Sequence, residues 1–183
     1  MNVKGTGRMR KFLSGLWALP ILTTPVVASA QPAPSAEDVS SIDTIIDAWY
    51  DIISVAPGES VDWARDSSLY LPDVRFVIVP DLTDGGRTPA RAAVLSHDEF
   101  IAASSGGLSE GFVEREIHRT TQRFGNLAHV FSTYEFRRTT DEPVLGRGIN
   151  SIQLFHDGER WWIAGAAWRN ETDDTPIPEE FLP

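Results

Sequence analysis

The sequence predicts an α+β domain in which helices come first and a run of long antiparallel strands follows. Apolar residues recur at helical spacing between residues 40 and 56. The second half instead holds four long segments rich in β-branched and aromatic residues, separated by short turns. This order of elements is typical of α+β proteins.

The first 30 residues have the pattern of a secretory signal. Four basic residues lie within the first eleven, an apolar run covers residues 12–27, and Ala28-Ser29-Ala30 supplies a small-x-small cleavage site. We predict a Sec-type signal peptide over residues 1–30, cleavage after Ala30, and a periplasmic or secreted location. A retained membrane anchor is the alternative, but a run of about 16 residues with two prolines is short for a bilayer.

Composition excludes several function classes. Residues 1–30 hold four of the 16 basic residues and none of the 26 acidic ones, so their removal lowers the net charge from −10 to −14. Such a charge disfavours nucleic acid and anionic membranes as partners. There is no cysteine, and both lysines precede residue 30, which excludes thiol nucleophiles, cysteine-ligated zinc and Schiff-base chemistry. We predict no cofactor and no metal, because the histidines and carboxylates lack a metal-binding spacing.

The elements of the first half follow from caps and periodicity. A Pro/Ala tether over residues 31–39 leads into a domain over residues 40–172, and an acidic, proline-rich tail covers residues 173–183. Ser40 or Ser41 can cap a helix that ends before Pro57. Residues 61–71 are predicted to be helical, residues 75–79 to form the first strand, and Ser96 with Glu99 to form a capping box that starts a helix through about Ser104.

The second half is predicted to be a meander of four strands. Gly125-Asn126 and Asp157-Gly158 are hairpin turn signals. The predicted strands cover residues 112–124, 127–138, 148–155 and 160–169.

Residues 40–170 resemble the nuclear transport factor 2-like (NTF2-like) superfamily, in its SnoaL-like branch. The resemblance rests on the order of elements, on the segment Arg123 to Val130 between two strands, and on Asp157-Gly158 before a strand that carries Trp161-Trp162. It implies a cystatin-like roll: a cone-shaped, curved antiparallel sheet wrapped on a long N-terminal helix, with an apolar pocket at its open end. Members include isomerases, dehydratases, cyclases, epoxide hydrolases and proteins with no known reaction, and many form homodimers.

The resemblance does not carry over the acid–base residues of the ketosteroid isomerase branch. The positions that correspond to its catalytic carboxylate, its tyrosine and its protonated aspartate fall near Val79, Trp49 and Ser151. None of these three residues matches, so the resemblance does not imply a steroid-isomerase mechanism.

The turn at Gly125-Asn126 places a polar set on one face of the central hairpin. A two-residue turn pairs His118 with Thr133, Glu116 with Glu135, and Gln122 with His129. If this face lines the pocket, His118 or His129 is the general acid or base, oriented by Glu116 or Glu135. The alternative is that this face is solvated and that the apolar face, with Ala128, Val130 and Tyr134, points inward, because a register error of one residue inverts the assignment.

Bulky rings and a few polar groups are the predicted ligand contacts. Trp162 and Trp168 are predicted on one face of the last strand, with Ala164 and Ala166 leaving room between them. We therefore expect an exported domain that binds an apolar small molecule, as a cofactorless isomerase, dehydratase or hydrolase, or else as a non-catalytic binding or dimeric assembly module. The predicted ligand-binding residues are Trp49, Trp63, Phe131, Ser151, Gln153, Trp162 and Trp168.

Overall fold

A six-stranded sheet, curled but not closed, wraps one side of a long helix in the computed structural model, which describes residues 35–81 and 91–183. The sheet order is β2-β1-β6-β5-β4-β3, with β2 and β3 at the edges. The α+β prediction is confirmed. The bounds are α1 Ile42–Ile53, α2 Trp63–Ser67, β1 Arg75–Ile78, β2 Ala93–Ser96, α3 His97–Leu108, β3 Val113–Phe124, β4 Leu127–Arg137, β5 Gly146–His156 and β6 Trp161–Asn170.

The sheet is mixed rather than wholly antiparallel. β1 pairs parallel with β6, through Phe76 opposite Ala166, whereas all other neighbours pair antiparallel. The short strand β2, which the sequence analysis did not predict, pairs antiparallel with β1. A four-residue strand offers too little periodicity to stand out in a sequence.

Helix α1 contributes an apolar stripe to the core of the domain. Ser41 caps it: its hydroxyl accepts from the backbone of Thr44, whose side chain accepts from the backbone N–H of Ser41. Ile45, Ile46 and Ile52 are buried against the concave face of the sheet, which we call the inner face. The helix is therefore held by its apolar stripe, as its periodicity predicts.

Helix α3 packs near β1 and β2, and its first residue, His97, contacts α2. Ser96 caps it with Glu99, as predicted, but the helix continues past Ser104 to Leu108, through Gly106 and Gly107. The ring of His97 lies 2.5 Å from the buried carboxylate of Asp66, which also accepts a hydrogen bond from Tyr70. This contact ties the start of α3 to α2.

The predicted signal peptide, and the tether up to residue 34, lie outside the described residues, as do residues 82–90. Among the described residues, no helix is long and apolar enough to cross a membrane.

Candidate functional site

A cavity of about 420 Å³ lies between α1, α3 and the inner face of the sheet. Its walls are mostly aromatic, with α3 contributing small residues such as Ala103 and Gly107. A few polar groups from α1, β3, β4, β5 and β6 also line it. The aromatic side chains of the wall are Trp49, Tyr50, Phe76, Phe100, Phe112, Tyr134, Phe136 and Trp168.

Two glycines on β5 make room for rings of this wall. Gly146 pairs with Phe136 and Gly148 with Tyr134. A Cβ atom at Gly146 would stand 2.7 Å from the Phe136 ring, and one at Gly148 would overlap the Tyr134 hydroxyl. Glycine at these two positions lets the neighbouring rings lie flat across β5.

Glu114 is the carboxylate of the cavity. The end of α1 fixes its backbone: the Ser54 hydroxyl accepts from the Glu114 N–H at 3.0 Å and donates to the Glu114 carbonyl. Its side chain is half-buried and pairs with no arginine in the described parts of the chain. Burial raises the pKa of Glu114 to about 7, against a weaker lowering by the Asn150 amide.

A chain of buried hydrogen bonds runs from this carboxylate through the core. The Asn150 amide nitrogen lies 3.4 Å from Oε1 of Glu114 and donates to the Tyr50 hydroxyl at 3.0 Å. Ser132 donates to Oε1 of Glu116 at 2.5 Å, so its hydroxyl oxygen must accept the Tyr50 proton at 2.7 Å. The Tyr50 hydroxyl therefore accepts from Asn150 and donates to Ser132, and these two hydrogen bonds fix its orientation.

Both tyrosines near Glu114 keep their protons across the physiological range. Burial, followed by the charge of Glu114, raises the pKa of Tyr50 and of Tyr134 well above the usual value. The Tyr134 hydroxyl donates to Oδ1 of Asn170 at 2.6 Å, and both residues line the cavity. Tyr134 is thus a donor beside an acid whose pKa is near neutrality.

The four predicted catalytic residues do not line this cavity. His118, His129 and Glu135 lie on the opposite, outer face of the sheet, and Ala128, Val130 and Tyr134 are buried on the inner face. The hairpin therefore presents its apolar face inward, which is the alternative left open above.

A β-bulge explains where the predicted pairing fails. His118 does pair with Thr133 and Gln122 with His129, but the register shifts between Glu116 and His118. Glu116 consequently faces Tyr134 rather than Glu135 and lies on the inner face. The pairing of Glu116 with Glu135 was wrong because a turn fixes a register only as far as the first bulge.

Glu116 and Glu135 each form ion pairs with their own arginines. Arg119 contacts Glu116 at 2.5 Å and also reaches Asp43 on α1, and Glu116 accepts from Ser132 as well. Glu135 pairs with Arg115 and Arg137 on the outer face. His129 contacts another predicted residue, Ser151, with Nε2 2.9 Å from its hydroxyl.

Two of the seven predicted ligand contacts line the cavity, Trp49 and Trp168. Trp63 packs edge-on against Phe100, a residue of the cavity wall, but does not itself line the cavity. Trp162 lies on the outer face under the Arg160 guanidinium. The others are also on the outer face, where Phe131 and Ser151 line a shallower groove and Gln153 is exposed.

A second bulge separates Trp162 from Trp168. Between Gln153 and Leu154 the β5–β6 register shifts, so Ala164 has no partner on β5. Trp168 pairs with Asn150 and faces inward, whereas Trp162 pairs with Phe155 and faces outward. The predicted common face for these two tryptophans was therefore wrong.

None of Glu114, Tyr50, Tyr134 and Asn150 was among the predicted site residues. Tyr50 and Asn150 are direct neighbours of two predicted residues, Trp49 and Ser151. The available signal was polar-tipped aromatics on apolar faces: Tyr134 alternates with buried Val130 and Ala128, and Tyr50 lies among buried isoleucines of α1. Glu114 carried no such signal without knowledge of the bulge.

Histidines and carboxylates do not gather in this region into a metal site. Within residues 35–81 and 91–183, no group of three or more such side chains is placed to hold a metal ion.

Solved structures with a similar fold share little sequence with this chain. An NTF2-like protein of unknown function from Pseudomonas putida KT2440 superposes with a TM-score of 0.55 at 15% identity, covering 79% of this chain and 95% of its own. The beta subunit of a putative aromatic-ring-hydroxylating dioxygenase from Novosphingobium aromaticivorans DSM 12444 gives a TM-score of 0.53 at 14% identity, covering 75% and 95%. An uncharacterized protein with a cystatin-like fold from Caulobacter vibrioides gives 0.52 at 11% identity, covering 74% and 90%.

No protein-family model and no curated protein matches the sequence. The superpositions cover nearly the full length of these three proteins. At such low identity they carry the fold and no activity. The chain has the NTF2-like fold, as the resemblance implied.

Proposed function

We propose that this protein binds a small, mainly apolar ring compound in the inner cavity and that Glu114 transfers a proton to or from it. The observation that carries the proposal is a carboxyl group in an aromatic cavity, with no cationic partner in the described chain and a pKa near 7. An acid of that pKa can both donate and accept a proton at neutral pH. Perturbed acids in clefts are typical of active sites.

The arrangement suits proton abstraction next to a carbonyl. The Glu114 carboxylate takes a proton from the α-carbon, the electron pair moves to the carbonyl oxygen, and return of the proton to carbon completes an isomerisation or exchange. Tyr134, released from Asn170, is the donor that can stabilise the oxygen. The mostly aromatic walls lower the local dielectric, which strengthens both interactions.

The test uses deuterium exchange, which needs no knowledge of the natural substrate. The protein without residues 1–30 is incubated with 2-tetralone in D₂O, and loss of the α-proton signals is followed by NMR. We expect the wild-type protein to accelerate exchange and Glu114→Gln to abolish the acceleration. Glu135→Gln, an acid on the outer face, is the matched control and should exchange as wild type does. Full exchange by Glu114→Gln would overturn the catalytic proposal.

A non-catalytic binding domain is the second candidate, favoured by the extent of the aromatic wall. Quenching of tryptophan fluorescence by 2-tetralone separates the two, because Trp49 and Trp168 line the cavity. Saturable quenching without any exchange would favour a binder. A flat titration in both wild type and Glu114→Gln would reject the cavity as a ligand site.

The sequence of residues 1–30 supports a further part of the proposal, that this chemistry takes place in the periplasm or outside the cell.

A homodimer is also proposed. Phe124 and Leu127 flank the β3–β4 turn and are 87% and 54% exposed, which makes this turn the apolar surface to examine first. Light scattering of the protein without residues 1–30 measures the oligomeric state.

A further inference from the structure

We propose that a groove on the outer face of the sheet binds a compact monocarboxylate, held through the Nε–H of Arg169. The groove lies on the side of the sheet away from the inner cavity. The inference is independent of the proton chemistry of Glu114.

The groove has a volume of about 260 Å³ and an apolar floor. Phe131, Ile149 and Ala167, from β4, β5 and β6, form that floor. The C-terminal tail supplies one wall with Ile177 and Pro178, and is itself pinned by the Phe181 ring, which meets Phe131 edge-on at 4.9 Å. A flat ring or a short aliphatic chain fits such a surface.

Arg169 lines the groove and carries a buried donor that has no partner among the described residues. Its Nη2 donates to Thr175 at 3.1 Å and lies 3.4 Å from an exposed carboxylate, Asp81. Its Nε is buried and, in the structure as described, has no hydrogen-bond partner. A buried N–H of a charged group without an acceptor is costly, so an acceptor brought by a ligand recovers this loss.

The neighbouring charges leave room for an anion. Glu171 also lines the groove, but Arg147 neutralises one of its oxygens at 2.9 Å and the Ile177 N–H donates to the other. Ser151 offers a second polar contact, and its hydroxyl already pairs with His129. The Arg169 Nε–H therefore lacks a negatively charged hydrogen-bond acceptor.

A carboxylate is the acceptor that meets this requirement. Its planar pair of oxygens matches the guanidinium edge, and a charge-assisted bond exceeds a neutral one in strength. The apolar floor adds a preference for a hydrocarbon body over inorganic anions. Benzoate, with benzamide as its neutral isostere, is the probe that isolates the charge.

The test follows the Arg169 Nε–Hε resonance in ¹H–¹⁵N NMR spectra during titration with benzoate and with benzamide. We expect a saturable downfield shift of this resonance with benzoate, and binding of benzamide weaker by about ten-fold or more. Equal effects of both compounds, or an unmoved Nε–Hε signal at saturation, would overturn the proposal.

Variants separate binding from folding. Arg169→Lys keeps the charge but lacks the Nε donor, and Arg169→Gln lacks both, so both should lose benzoate binding, measured by shifts of the Phe131 ring signals. Arg115→Gln is the matched control, since it removes an arginine of the outer face that does not line the groove. It should retain benzoate binding, and retention of binding by Arg169→Gln would contradict the assignment.

Discussion

The two faces of the sheet handle their charged groups in opposite ways. On the inner face, Glu114 lies in an aromatic cavity without a cationic partner in the described chain, and burial raises its pKa. On the outer face, Glu135 lies between Arg115 and Arg137. Glu114 and Glu135 lie in neighbouring residue pairs of β3 and β4. Their chemistry differs because Glu114 is desolvated and Glu135 is neutralised by arginines.

The number of charged side chains on a face of the sheet is a poor guide to a reactive site. The outer face carries the two histidines and the paired carboxylate that the sequence highlights, and its acid is neutralised by two arginines. The inner face carries one acid among rings. Reactivity at neutral pH follows from the lack of a partner, which only the packed structure shows.

The largest effect is expected from adjacent residues that point to opposite faces. Ser132 and Thr133 are both fully buried, but Ser132 links Tyr50 to Glu116 whereas Thr133 donates only to the Phe181 carbonyl. Ser132→Ala leaves the buried Tyr50 hydroxyl and the partly buried Glu116 carboxylate without this partner, and we expect it to lower the free energy of unfolding by about 3 kcal/mol. Thr133→Val, its matched control, should cost about 1 kcal/mol.

Urea denaturation followed by tryptophan fluorescence measures both variants. Equal losses in the two would mean that the inner hydrogen-bond chain contributes no more than an ordinary outer contact, which would erase the contrast between the faces.

The next effect is a dependence of stability on pH. Because the folded-state pKa of Glu114 is raised from 4.5 to about 7, the protonated side chain favours the folded state below pH 4.5, and this contribution is lost as pH rises through 7. Glu114→Gln should therefore gain stability over wild type by about 2 kcal/mol between pH 5 and pH 8.

Other titrating groups cancel in this comparison because both proteins contain them. A difference between Glu114→Gln and wild type that stays constant from pH 5 to pH 8 would show that burial does not perturb this acid.

A smaller effect is expected at the tail. Phe181 meets Phe131 edge-on at 4.9 Å and remains partly exposed, so Phe181→Ala should lower the free energy of unfolding by about 1 kcal/mol. The inner cavity is on the other side of the sheet, so quenching by 2-tetralone should be unchanged. Altered quenching would show that the two faces communicate.

The smallest effect is expected at Arg115, whose side chain is 67% exposed where it meets Glu135. Exposed ion pairs contribute little, and Arg137 still contacts Glu135, so Arg115→Gln should change stability by less than about 0.5 kcal/mol. Thermal unfolding against wild type measures this. A loss above about 1 kcal/mol would mean that the outer ion pairs are a structural element in their own right.

The elements that depend on local sequence could be predicted. Ser41 and Ser96 mark the starts of α1 and α3, and the Gly125 turn gave the correct pairing of His118 with Thr133. The NTF2-like fold followed from their order.

The site could not be predicted, because two bulges each exchange the faces of a strand. The shift between Glu116 and His118 brings Glu114 and Glu116 inward, and the shift at Ala164 separates Trp162 from Trp168. A bulge inserts one residue without a distinctive residue type at either position, so alternation counted from the turn goes out of phase beyond it. The contact of Asn150 with Glu114 depends on both the register and the end of α1, which no single segment encodes.

The most direct measurement is the pKa of Glu114 itself, from the pH titration of its side-chain carboxyl carbon by ¹³C NMR, with Glu114→Gln used to assign the signal. We expect a midpoint near pH 7, set by burial in the aromatic cavity. A midpoint near 4.5, the value of a solvated glutamate, would contradict it.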